Sequence, residues 1–177
     1  MAGIQSSKKG LGGLAMIQVN DVFPDINPAF CSLVLTSFCK GHHEESKCGS
    51  DYASLLLVLP ITISKDFEHF FYKKQKKSDF FQLINQHPDI LISIQDRIKG
   101  TLPITQQAMC FALKKGLLKL SDSKRFILSE RASATFESRA ISSRVRKYLN
   151  YADMLGVWLG RINSPETIFS YIGAIRS

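Results

Sequence analysis

At 177 residues, 45% of them hydrophobic, the chain is long enough for one domain with a real core or for one domain with an extended arm. Its formal charge of +8 favours acidic partners, nucleic acid or an acidic protein surface. No apolar run approaches the ~20 residues that span a bilayer, and the four cysteines read as free thiols, so a cytoplasmic protein without a membrane role is expected.

Residues 1–26 read as a flexible arm, because Gly10, Gly12 and Gly13 interrupt the weakly apolar stretch behind Lys8-Lys9. Asn27-Pro28 is a strong helix start, with a capping side chain followed by proline at the first helical position. Phe30, Leu33, Val34 and Phe38 then repeat at helical spacing, to an expected stop near Gly41. Residues 42–50 read as a polar loop. Asp51 opens a second helix over 52–59, with a strand over 55–63 as the alternative, since a short apolar run does not distinguish the two. Ser64 reads as the cap of a helix carrying Phe67, Phe70 and Phe71. The basic hinge Lys73-Lys74-Gln75-Lys76-Lys77 follows, and then a short helix with Ser78 as its cap.

His87-Pro88 breaks that helix. Residues 89–99 form another, ended by Gly100. Thr105 to Leu128 reads as a short helix capped by Thr105, a glycine stop at Gly116, and two strands flanking the polar turn Ser121-Asp122-Ser123-Lys124. A helix leading directly into a hairpin is the unit of winged-helix domains. The middle of this helix, Ala108-Met109-Cys110-Phe111-Ala112-Leu113, is nearly devoid of the polar groups that read base edges, which points to burial rather than sequence readout. Residues 129–137 read as a polar connector. A long helix over about 138–162 carries Ile141, Val145, Tyr148, Ala152, Leu155, Leu159 and Ile162 at threes and fours. A second stripe, Tyr151, Met154 and Trp158, lies beside the first. It is either a partner surface or the flank of a wide core-facing stripe. Gly156 and Gly160 would permit close backbone approach. Ser164-Pro165-Glu166 opens a final short helix.

The fold class is therefore mainly α with a small β-hairpin: a winged-helix-like core plus a long C-terminal helix. The organisation is a 1–26 arm, a 27–130 helical domain with the wing at 117–128, and a 131–177 C-terminal helical segment.

Chemistry is sparse. Cys39, His42, His43 and Cys48 have ligand types that suit zinc but lack the paired-cysteine spacing of structural zinc sites. No phosphate-cradling loop, nucleophile elbow or carboxylate pair in an apolar setting is present, so a non-enzymatic protein with no cofactor is expected. Lys73, Lys74, Lys76 and Lys77, with Lys124 and Arg125 on the wing, are candidates for contacts to the DNA backbone, which give affinity without sequence choice.

Asn27-Pro28-Ala29-Phe30-Cys31, Leu57-Val58-Leu59-Pro60, Thr105 to Leu120, and Ser164-Pro165-Glu166-Thr167-Ile168-Phe169-Ser170-Tyr171-Ile172-Gly173 together resemble one family. It is the middle component of bacterial three-component ABC systems, the group that includes the small accessory subunit of Lamassu-type anti-phage defence. The resemblance covers residues 27–175, with a longer basic insert at Lys73 to Lys77 than the family pattern. It implies a non-catalytic subunit that bridges an SMC-like ABC ATPase, which senses foreign DNA, and a nuclease-type effector held inactive until then. DNA would be met through the complex, without sequence preference. A stand-alone winged-helix DNA-binding regulator is the alternative, and a metal-dependent enzyme using the Cys39–Cys48 loop is a weaker third.

Overall fold

The structure, a computed structural model, describes residues 27–72, 74–137 and 141–174. It is mainly helical with a two-stranded hairpin. In order come α1 (Pro28–Ser46), α2 (Tyr52–Leu56), α3 (Val58–Thr62), a 3₁₀ turn (Lys65–Phe67), α4 (Glu68–Phe71), α5 (Phe80–Gln86), α6 (Asp89–Lys114), β1 (Leu118–Leu120), β2 (Phe126–Leu128), α7 (Glu130–Glu137), α8 (Ser143–Ile162) and α9 (Pro165–Ala174).

Helix α1 is the axis of the core. All residues from Phe30 to Cys39 are buried, as expected of a helix wrapped on every side. Its polar members are satisfied internally: Ser32 Oγ donates to Ala29 O at 2.7 Å and Thr36 Oγ1 to Ser32 O at 2.7 Å. Asn27 caps the helix by accepting from Ala29 N at 2.9 Å. Gly41 does not end it. The helix continues to Ser46 and stops at Lys47 in the left-handed conformation, φ 56°.

Helix α8 lies parallel to α1, because their contacts advance together from Ser37–Leu149 through Gly41–Asp153 to His42–Gly160. Glycine makes this seam possible. A Cβ on Gly41 would sit 2.0 Å from Asp153 O, and one on Gly156 would sit 2.2 Å from Phe38 O. The close approach expected of Gly156 and Gly160 is thus present, with α1 contributing Gly41 as the third glycine. Ser37 Oγ donates across the seam to Leu149 O at 2.8 Å.

Helix α6 differs most from the sequence expectation. A single helix of 26 residues runs through Gly100 and Pro103, where a break and a new cap at Thr105 were expected. Thr105 instead lies inside the helix, fully buried, and its hydroxyl donates to Thr101 O. An interior proline costs about 3 kcal/mol. The buried stripe Leu91, Ile94, Thr105, Ala108, Met109 and Ala112 continues past both residues, so burial of one face outweighs the local penalty. Pro103 and Gly100 lie on the exposed side.

Other boundaries move for similar reasons. The 52–59 stretch is two short helices, with Pro60 in the first turn of α3. Asp79, not Ser78, caps α5, accepting from Gln82 N at 2.8 Å. The 129–137 connector contains α7, and α8 begins at Ser143 under a Ser142 cap.

The helix-to-hairpin turn forms as read. Gly116 takes φ 64°, with Leu117 N donating to Ala112 O and Gly116 N to Leu113 O, a left-handed helix stop. The strands pair antiparallel as Leu118↔Leu128, Lys119↔Ile127 and Leu120↔Phe126.

Candidate partner-facing surface

The second stripe of α8 turns inward. Trp158 is 1% exposed, stacked on Phe71 at 5.8 Å and set edge-on to Phe70 at 5.6 Å. Its Nε1 donates to Gln75 O at 3.1 Å. Trp158 therefore belongs to the core, which corrects its reading as an anchor for another chain. Tyr151 stacks on Phe71 at 4.4 Å, and Met154 beside it is half-buried. Lys147 lies near the rings of Tyr148 and Tyr151 and is bonded to Glu68, a contact that raises its pKa above the ordinary lysine value.

In the basic hinge, Lys76 is an internal tie. Lys76 bridges Glu44 at 2.5 Å and Asp153 at 2.9 Å, joining α1 to α8. Burial opposes its charge, but hydrogen bonds to Glu44 and Asp153 hold the ammonium above the ordinary lysine value. The hydrogen bond from Lys76 in turn lowers the Glu44 carboxyl. Arg161 adds a further clasp, donating to Ser78 O at 3.3 Å and pairing with Glu45 at 3.1 Å. Lys76 is thus no open phosphate contact. Lys74 is half-buried and Lys77 exposed, while Lys73 lies outside the described residues.

On the hairpin, Lys124 is exposed in the turn at φ 57°. Arg125 is engaged: its Nη1 donates to Gly49 O at 3.0 Å and reaches Asn163 Oδ1 at 3.5 Å. Ser50 pairs with Phe126 through two backbone hydrogen bonds of 2.9 and 2.8 Å, which closes the outer edge of β2. The hairpin is consequently docked against the body of the domain. Ala108, Met109 and Ala112 in the middle of α6 are buried against the core, while Gln106, Gln107, Cys110, Lys114 and Lys115 lie on its exposed side.

The four candidate zinc ligands are dispersed in environment. Cys39 is buried, and burial pushes its thiol up to about 12. His42 is 1% exposed, its imidazole beside Ser46 Oγ at 3.1 Å, and burial lowers its pKa. His43 faces Cys48 O at 3.3 Å, and Cys48 is exposed. Among the described residues no group of three or more His, Cys, Asp or Glu side chains could hold a metal ion.

A further cationic group accompanies the candidate Lys124. Lys114, Lys115 and Lys119 are exposed at the end of α6 and on β1, close in sequence to Lys124. Among the described residues none of the four takes part in an ion pair. Leu120 beside them is 53% exposed. The signal is local, in Lys114-Lys115 and Lys119, which lie outside the DNA-backbone candidates named above.

Residues 25–175 match the family model of ABC-three component (ABC-3C) system middle component 3. The chain belongs to this family. No curated protein and no solved structure matches it. As a middle component of a multi-component system, the chain has the other components as its expected company. No described helix is long and apolar enough to cross a membrane.

Proposed function

We propose that this middle component is a non-catalytic accessory subunit of a Lamassu-type anti-phage complex. It bridges an SMC-like ABC ATPase and a nuclease-type effector, and helps hold the effector inactive until foreign DNA is sensed. The observation that carries this reading is the family match along almost the whole chain, residues 25–175. Two features support it. The titratable groups with shifted pKa serve packing and ion pairs rather than a cleft, as with Cys39 in the core and Lys76 between α1 and α8. The middle of the helix leading into the hairpin, Ala108 to Leu113, carries no charged or amide side chain, which disfavours sequence-specific DNA reading.

The experiment is co-expression with the genes beside it. A ternary complex with the ATPase and the effector is expected. The lone chain should neither hydrolyse ATP nor cut DNA, and its DNA binding should be weak, salt-sensitive and indifferent to sequence. Failure to associate with either neighbour, or nuclease activity that co-fractionates with the pure chain, would sink the proposal. A footprint at a defined sequence, insensitive to salt, would favour the regulator.

A further inference from the structure

We infer that the end of the molecule formed by the last turn of α6 and the hairpin docks an extended acidic segment of a partner protein, added as a strand to the outer edge of β1. This deepens the reading of the chain as an assembly subunit and rests on it.

The edge is defined by the register. Phe126 directs its N–H and C=O toward Ser50, away from β1. In an antiparallel pair, directly opposed residues share one bonding state, so Leu120, opposite Phe126, turns its own N–H and C=O outward. Neither group has a backbone partner among the described residues outside the hairpin. Ser50 covers the far edge of β2 at Phe126, while opposite it the outer edge of β1 at Leu120 has no such backbone partner among the described residues.

The site is held in shape before any partner arrives. A Cβ on Gly49 would meet Ile127 Cγ2 at 2.6 Å, so the loop beneath the hairpin is in tight contact with it. Arg125 ties the hairpin to Gly49 O, and Gly116 fixes the angle at which the chain leaves α6. A preset edge saves the ordering cost that weakens docking by mobile segments.

Side-chain chemistry selects the occupant. Leu120 continues the apolar row of Leu118 and Phe126, yet it is 53% exposed and has room for an apolar neighbour. Lys114, Lys115, Lys119 and Lys124 are exposed on the end of α6, β1 and the turn, with Asp122 as the acid in the turn. Lys119 on the edge strand, with Lys114, Lys115 and Lys124 on the adjoining helix end and turn, repels basic strands. A second copy of this chain, at +8, is thereby disfavoured, and an acidic segment is attracted. Nucleic acid would engage the lysines but leave Leu120 and the outward amide unused. Strand addition uses the edge, the leucine and the charge together.

The test uses the full chain co-purified with the proteins encoded beside it, comparing wild type with Leu120→Pro, Leu120→Glu and the pair Lys114→Glu/Lys115→Glu. Leu120→Pro removes the outward N–H without touching the β1–β2 ladder. Each variant should weaken association at least tenfold while the lone chain melts as wild type does. Amide exchange in residues 117–121 should slow at least tenfold on assembly. Should a Leu120 variant melt early, the exposed α6 pair and the exchange measurement decide. Association with unchanged exchange and unaffected variants would overturn the docking site and leave the bridging role standing. Absence of any wild-type association would overturn both. Loss of DNA retention in the α6 pair with association intact would assign this end to nucleic acid and reject the strand.

Discussion

The α1–α8 seam and the α6–hairpin end use the same kinds of residue to opposite effect. Along the seam, Gly41, Gly156 and Gly160 bring two helix backbones into contact, and Lys76, Arg161 and Lys147 find carboxylates within the chain. At the α6–hairpin end, Gly116 turns the chain outward and four lysines stand without ion pairs among the described residues. A basic residue is therefore no guide to a binding surface until its carboxylate partners are known. Net charge counts the tie and the open patch alike.

The largest change expected is at Trp158, where loss of the buried ring and of its bond to Gln75 O should cost about 3–5 kcal/mol for Trp158→Ala. Denaturant unfolding of the lone chain measures it. A cost under about 1 kcal/mol would mean the ring is not packed as described and would reopen the partner reading.

Two glycines sharpen the comparison further. Gly156→Ala places a methyl 2.2 Å from Phe38 O and should destabilise by about 3 kcal/mol. Gly100→Ala, in the exposed part of α6 with open space around it, should stabilise by about 0.5–1 kcal/mol. Thermal melts of the two variants should move in opposite directions. Equal shifts would show that the seam tolerates separation.

The next effect is graded with pH. His42 is lowered by burial, so the unfolded chain binds its proton first, starting from the ordinary value of 6.5. In the window between 6.5 and the lowered folded value, the unfolded state binds more protons than the folded one, and stability falls as pH drops. Above 6.5 both states are neutral and His42 contributes no slope. Replacing His42 by Gln should flatten the decline in urea midpoints across that window. An unchanged slope would place the titrating group elsewhere.

Smaller still, Lys76→Met should cost about 1 kcal/mol, because a lysine side chain 40% exposed is partly screened. The difference should shrink in high salt. Lys119→Ala and Lys124→Ala should each shift stability by less than about 0.5 kcal/mol while altering association. The thiols divide in the same spirit. Cys48 and Cys110 should react with an alkylating reagent in the native protein, and Cys31 and Cys39 only after unfolding. Mass spectrometry of the alkylated peptides reads this directly.

Much of this fold was legible in local chemistry. Asn27, Asp51 and Ser164 accept backbone N–H groups as helix caps, and Gly116 ends α6 in a left-handed turn because its lack of a Cβ permits it. The mainly helical class and the hairpin over 117–128 need only residues near in sequence, and Gly156 and Gly160 mark in α8 where a backbone can come close, though not which one. Tertiary structure alone decided the rest. Helix α6 survives Gly100 and Pro103 because its buried face is continuous, a gain that no window around the proline contains. His42 joins α1 because the backbone of Gly160 packs against it from 118 residues away. Lys76 becomes a tie and Lys119 stays open because their carboxylate partners, or the lack of them, are set by which helices meet. Caps, turns and periodicity act over a few residues and are written locally. Pairing of charges and the inward or outward turn of Trp158 depend on contacts between distant segments, and those exist only once the chain has folded.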